Sequence, residues 1–396
     1  MLQGKQIVIG VCGGIAAYKV CDLVRMLKKA GAECFCMMTQ SAQEFITPLT
    51  LSTLSGQRTV CGMFEQRQDW EVEHISWAKR ADVLVLVPAT ANIIGKINAG
   101  IADDFVTTTV MATKAPVLIA PAMNTNMFEN PITQRNIKQL AELGYHFTMP
   151  DEGFLACGDT GRGRLAETER IFEDIVRLCT PQDLEGKSVL VTAGPTREAV
   201  DPVRFLTNHS TGKMGYAIAQ AAARRGAKVI LVSGPVSLPV PYGVQMESVT
   251  SACEMRDAVI KHASEMDFII KSAAVADFRP VNPSDQKLKK NQLPEIQLEK
   301  NPDILQELGQ MNLSAVLVGF AMETEDLELR AKEKLERKGL HMIVANNLKT
   351  EGAGFGTDTN VVTVFSKDGS VKRYPKLAKT VLADEILTMA KEWRLR

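Results

Sequence analysis

An excess of either charge is the first thing missing: 46 Lys and Arg balance 46 Asp and Glu over 396 residues. No net field is available to hold nucleic acid or an anionic membrane, and neither is expected as a partner. The eight cysteines, at 12, 21, 34, 36, 61, 157, 179 and 253, include no C-x-x-C pair, and the five histidines are scattered, so zinc-ligand spacing is missing. Dispersed cysteines on apolar segments read as reduced thiols, and a cytoplasmic location is expected. No apolar run nears the ~18 residues of a membrane span, and MLQGKQIVIGVCGG reads as a strand and glycine turn rather than a signal peptide. Low-complexity segments and residue-level repeats are also lacking. The pair Gly212-Lys213 is not a Walker A motif, which would need Gly at 207 and Ser or Thr at 214, where Thr207 and Met214 stand.

What is present is strand–helix alternation, twice over. Strands are expected at Gln6–Val11, Glu33–Met38, Val83–Val87 and Val117–Ala120, and helices at Ile15–Lys29, Thr90–Asn98 and Ile132–Leu143. A polar stretch at 181–186 separates this half from new strands at Ser188–Thr192, Lys228–Ser233, Phe268–Ile270, Ala315–Val318 and Met342–Ala345. Helices are expected there at Gly215–Arg225, Ala252–Ser264 and Glu325–Lys338, with a hairpin around Lys367-Asp368-Gly369. The expectation is two doubly wound α/β domains with parallel sheets, 1–180 and 187–396, joined by a 181–186 linker.

Ligands in such sheets bind outside the carboxyl ends of the strands. Gly13-Gly14-Ile15 follows the first strand, and its free N–H groups suit a phosphate; alone, this turn serves NAD, FMN or nothing. Thr39 and Ser41 follow the second strand, with anion contact and helix capping both open. Pro88–Asn92 and Pro121–Asn124 follow the third and fourth.

Together, GGIAAYK (13–19), SAQEFI (41–46), PATAN (88–92), PAMNTNM (121–127) and ACGD (156–159) resemble the flavin-containing cysteine decarboxylases, specifically phosphopantothenoylcysteine decarboxylase. The resemblance implies a flavodoxin-like domain holding FMN through Gly14, Ile15, Thr39, Ser41 and Phe45 on one side. Ala89, Thr90, Asn92, Ala122 and Met123 complete the implied contacts. It also implies an active-site His74, an Asn124 that holds the substrate carboxylate, and a Cys157 that donates a proton. A cysteine carboxylate cannot lose CO2 without an electron sink; oxidation to a thioaldehyde at the expense of FMN supplies one, and an acid is needed afterwards. Structural readings remain for each: a satisfied histidine, a capping asparagine, an inert thiol. Glycines 153, 158, 161 and 163 around the cysteine suggest a mobile lid. Cys12 stands where many relatives have a hydroxyl, which shifts phosphate contact to backbone N–H groups.

In the second half AGPTRE, DPVRF, NHSTGKMG, AAVADF, KLKK, NPDIL and GFAMET occur in the order found in phosphopantothenate–cysteine ligase. This similarity implies CTP-dependent activation of the 4′-phosphopantothenate carboxylate as an acyl-cytidylate, with Mg2+ on the triphosphate, followed by attack of the cysteine amine. Asn208 and Lys287 carry the implied catalytic roles. Ala273, Asp277, Phe320, Lys334 and Lys338 fall at nucleotide positions, and Pro302, Asp303, Ile304 and Leu305 form part of that pocket. Lys334 and Lys338 sit at i, i+4, with surface pairing the plain alternative. Self-association through both domains is implied as well. The rival readings are a two-domain NAD(P) oxidoreductase and a non-catalytic flavin-binding regulator.

Overall fold

The computed structural model describes residues 2–64, 72–156, 158–289, 295–323, 327–347 and 356–395. The chain divides into two compact units, Met1–Pro181 and Gln182–Arg396.

In the first unit β1 (Gln6–Val11), β2 (Glu33–Met38), β3 (Val83–Ala89), β4 (Val117–Pro121) and β5 (His146–Phe147) form a parallel sheet in the order 2-1-3-4-5. The strands are apolar almost throughout because both faces are covered. Ile7, Ile9 and Val11 pack with Leu23, Leu27, Ile171 and Ile175 on one side. Val8, Leu84 and Leu86 pack with Trp77, Ile93, Phe105 and Val110 on the other. Side chains alternate across a strand, so one continuous apolar run feeds two cores. A hairpin, β6 (Asp151–Phe154) and β7 (Thr160–Arg164), stands apart from this sheet.

Ile15–Lys29 is not one helix. Ile15–Lys19 is a 3-10 turn and Val20–Lys29 an α-helix. No side chain caps the turn, and its start is tightened instead by the Ala17 N–H donating to the Gly14 carbonyl at 2.9 Å.

In the second unit the core strands are β8 (Ser188–Ala193), β11 (Lys228–Ser233), β12 (Val244–Ser248) and β13 (Phe268–Lys271), then β16 (Val316–Glu323) and β17 (Met342–Asn347). With β18 (Thr359–Ser366) and β19 (Val371–Ala378) they make one sheet, ordered 12-11-8-13-16-17-18-19. Its pairings are parallel except at the last two, where the expected hairpin adds antiparallel strands. Val189 and Val191 pack against Ile218, Ala222, Leu382 and Ile386. Leu190 faces Met255, Val259, Leu305 and Leu335 on the opposite side. Two ribbons lie off this sheet: β9 (Arg197–Ala199) with β10 (Phe205–Thr207), and β14 (Phe278–Pro280) with β15 (Leu298–Lys300). The expected helix from Glu325 is described from Leu327 to Arg337; Glu325 itself lies outside the described residues.

Candidate active sites

Both sheets reverse their strand order, at β1/β3 and at β8/β13, and each reversal opens a crevice at the carboxyl ends. In the first unit a cleft of about 450 Å³ is lined by Gly13, Gly14, Ile15, Tyr18, Thr90, Ala122, Met123 and Asn124. Its far wall is Phe154–Ala156 and Gly163–Leu165 of the hairpin region.

Close backbone approach builds this cleft. A Cβ on Gly13 would lie 2.5 Å from the Ser41 Cβ, so only glycine lets the β1 turn sit against the β2 turn. At Gly163, with φ +142°, a Cβ would lie 2.3 Å from the Met123 carbonyl oxygen. That contact is a hydrogen-bonded one: the Met123 N–H donates to the Gly163 carbonyl at 2.9 Å. The segment expected to be a lid is thus a β-hairpin, stitched to the Met123–Asn124 loop through its glycines.

Asn124 uses its whole amide. Its Oδ1 caps the Thr125–Glu129 turn by accepting from the Asn126 N–H at 2.8 Å, and its Nδ2 donates to the Asp159 carboxylate at 2.9 Å. The cap and the cleft position coexist. A carboxylate is already the partner of Nδ2, which is the chemistry a substrate carboxylate would repeat.

Thr39 does not cap. The 3-10 turn it precedes has no side-chain cap, and its buried Oγ1 has no hydrogen-bond partner among the described residues. The Thr39 N–H donates to the Val11 carbonyl at 3.0 Å, beside the glycine turn, and a buried hydroxyl left unpaired there fits an external acceptor such as a phosphate oxygen. Thr90, by contrast, lines the cleft while its Oγ1 accepts from the Ile93 N–H at 3.3 Å. Thr39, Ser41, Phe45, Ala89 and Asn92 lie outside the cleft lining. Cys12 is buried, and burial pushes its thiol far up, which leaves anion contact at that turn to the backbone. His74 stands in the first turn of the Glu73–Arg80 helix, also outside the lining. Cys157 lies outside the described residues.

In the second unit a cleft of about 950 Å³ gathers Asn208, Ala273, Asp277, Pro302–Leu305, Phe320, Lys334 and Lys338. They lie just after β10 and β13, on β16, and on or beside two helices, Ile304–Gln310 and Leu327–Arg337, that sequence distance keeps far apart. Backbone bonds hold the floor: the Ala273 N–H donates to the Thr192 Oγ1 at 3.1 Å and the Ala276 N–H to the Thr196 Oγ1 at 3.0 Å. Asn208 Nδ2 donates to the Ala274 carbonyl at 3.1 Å. Lys338 pairs with Asp303 at 2.8 Å and is only 10% exposed, so it is no ordinary surface lysine. Lys287 is exposed in the loop between β14 and β15, outside the cleft lining.

Sequence reasoning missed Lys271. It ends β13 and lines the cleft. Burial, then the nearby charges of Lys338 and Lys334, push its ammonium down to about 8 against the pull of Asp303 and Asp277. The available signal was a lysine closing an otherwise apolar strand, Phe268-Ile269-Ile270-Lys271. Among the described residues no cluster of His, Cys, Asp and Glu is arranged to hold a metal, and no helix is long and apolar enough to cross a membrane.

The chain matches the flavoprotein family over residues 1–180 and the DNA/pantothenate metabolism flavoprotein C-terminal domain over residues 184–393. It is 49% identical over 396 residues to the coenzyme A biosynthesis bifunctional protein CoaBC of Bacillus subtilis (strain 168), covering 98% of this chain and 97% of that one. Among solved structures, the C-terminal domain of a protein of that name is 46% identical, covering 53% of this chain and 97% of that chain, with a TM-score of 0.47. The FMN-dependent cysteine decarboxylase SpaF is 33% identical, covering 46% of this chain and 100% of that chain, with a TM-score of 0.41.

Proposed function

Because the chain belongs to the family of bifunctional coenzyme A biosynthesis proteins, we propose a division of labour in which residues 1–180 decarboxylate and residues 187–396 ligate. It is an enzyme of coenzyme A biosynthesis with both activities and with a flavoprotein domain. The observation that carries the ligase assignment is the gathering of ten separately expected residues around one cleft.

In that cleft CTP activates the carboxylate of 4′-phosphopantothenate, releasing pyrophosphate, and the cysteine amine then displaces CMP. Lys334, Lys338 and Lys287 supply positive charge to the phosphates, while Asn208, tied to the Ala274 carbonyl, orients the acyl group. Mg2+ accompanies the triphosphate and is held largely by phosphate oxygens. The product is the substrate of the first domain.

FMN, when bound there, supplies the oxidation that creates an electron sink for decarboxylation and the later return of electrons. The Gly13–Gly14 turn and Thr39 hold its phosphate, Asn124 holds the substrate carboxylate, and Cys157 delivers the final proton. His74 lies outside its own cleft lining, and Ile15, Tyr18, Met127 and Phe154 leave that cleft's rim exposed and apolar. These features support self-association, with a second copy covering the rim and bringing His74 to the flavin. A cytoplasmic location accords with the scattered cysteines.

The test is the full chain incubated with 4′-phosphopantothenate, cysteine, CTP and Mg2+. A yellow protein yielding 4′-phosphopantetheine, CO2, CMP and pyrophosphate is expected. Pyrophosphate released only with ATP would overturn the nucleotide, and a monomer by light scattering would overturn the shared flavin site. Cys157→Ser is expected to spare ligation and block the final reduction; Asn208→Asp and Lys287→Gln do the reverse.

A further inference from the structure

The motif Asp201-Pro202-Val203-Arg204-Phe205 has no part in the chemistry above, yet its acid is wholly buried: the Asp201 side chain is 0% exposed. Oδ1 accepts from the Val203 and Arg204 N–H groups at 2.9 and 2.8 Å, which closes the turn between β9 and β10. Oδ2 accepts from the Arg204 guanidinium and from the Leu288 N–H at 3.2 Å, across 87 residues. Arg204 Nη2 in turn donates to the Leu288 carbonyl at 3.0 Å. Both backbone groups of Leu288 are therefore taken by one ion pair. A third bond, from the Ser284 N–H to the Val200 carbonyl at 3.0 Å, ties the start of the same segment to the same turn. Residues 283–289 have no helix or strand of their own, so these bonds set their course.

We infer that Asp201, braced by Arg204, is a positioning residue for the ligase reaction: it fixes the backbone next to Lys287 and so sets where that ammonium meets the nucleotide phosphates. The inference rests on the role proposed for Lys287. A side chain as long as lysine reaches a defined point only if its Cα is fixed, and a misplacement near 1 Å can cost ~100-fold in rate. The Arg204 guanidinium, followed by the turn N–H groups and that of Leu288, holds the Asp201 carboxyl far below the usual carboxylate range, so the clamp stays charged at every working pH.

Asp201→Asn is the discriminating change. It keeps one oxygen for the turn N–H groups but sets an NH2 against the donors of Arg204 and Leu288. In the full chain, CTP-dependent pyrophosphate release is expected to fall ~10-fold to ~100-fold. Flavin-dependent decarboxylation of supplied 4′-phosphopantothenoylcysteine by the same protein stays within about twofold. The double variant Asp201→Asn/Lys287→Gln is expected to be no slower than Lys287→Gln alone, because the clamp acts through that lysine. Amide hydrogen exchange over residues 284–289 should quicken in Asp201→Asn, and this readout needs no activity. Unchanged exchange, unchanged ligation, or a double variant with multiplied losses would each overturn the inference. Quickened exchange in a chain whose wild type releases no pyrophosphate would instead defeat the ligase reading while leaving the clamp in place.

Discussion

Raising the pH from about 7 to about 9 should loosen the hold of the second cleft on CTP, through Lys271. With its ammonium at about 8, the group is charged in ~90% of molecules at the lower pH and ~10% at the higher. If the anion is attracted by the charged form, affinity falls in proportion, roughly tenfold or about 1.4 kcal/mol. Asp303 does not blur this window: burial is the largest single influence and opposes its charge, but the hydrogen bond and charge of Lys338, the Gln306 N–H and the Lys271 charge together keep the carboxyl below its ordinary range. In the ligand-free protein Lys271 contributes the opposite trend to stability, read as the difference between wild type and Lys271→Met. A lysine lowered from 10.5 to about 8 is one whose charge folding disfavours. That penalty, about 3–4 kcal/mol at most, is complete below pH 8 and fades as pH rises toward the ordinary lysine value. Calorimetric titration with CTP and Mg2+, paired with urea unfolding of the ligand-free chain at both pH values, measures the two slopes. Lys271→Met is expected to flatten both. A variant that retains the wild-type pH dependence of CTP binding would refute the assignment of that dependence to Lys271.

Gly163→Ala forces a Cβ to 2.3 Å from the Met123 carbonyl at a φ of +142°, and about 2–4 kcal/mol of destabilisation is expected in urea unfolding of the flavin unit, with flavin loss; a change under about 0.5 kcal/mol would contradict the hairpin contact. Thr39→Val removes an unpaired buried hydroxyl, so the flavin-free protein should be neutral or about 1 kcal/mol more stable while FMN dialyses away about tenfold more readily. Unchanged FMN retention would mean that the hydroxyl does not face the phosphate. Asp183, held at about 2 by Arg225 first and Lys391 second, contributes stability above about pH 4 that is lost as pH falls through its folded value. Solvent screening reduces this to about 1 kcal/mol, and Asp183→Asn should remove it at pH 7 but change little near pH 2.

Much of this protein was determined by sequence alone. Apolar runs of five or six residues, broken by glycine and interleaved with helical spacing, permit little but a parallel sheet covered on both sides, because every backbone group in such a run must be paired away from water. Strand ends were legible for the same reason, and with them most of the second cleft and half of the contacts expected in the first. The tertiary structure decided which competing use each polar group serves. Thr39 and Thr90 both precede helical turns after strands, yet the Thr90 hydroxyl caps its helix while the buried Thr39 hydroxyl has no partner among the described residues. The glycines around Cys157 read as freedom, but the hairpin uses Gly161 and Gly163 for close contact. Lys271 lay one residue beyond the expected strand and drew no reading, and only folding set Lys334 and Lys338 near it from more than 60 residues away. Asp201 stood in the sequence only as the first residue of DPVRF, and only folding brought Leu288 to it across 87 positions. Local pattern governs whether a backbone can be buried; where a charge or a hydroxyl finds its partner depends on segments that no window of sequence contains together.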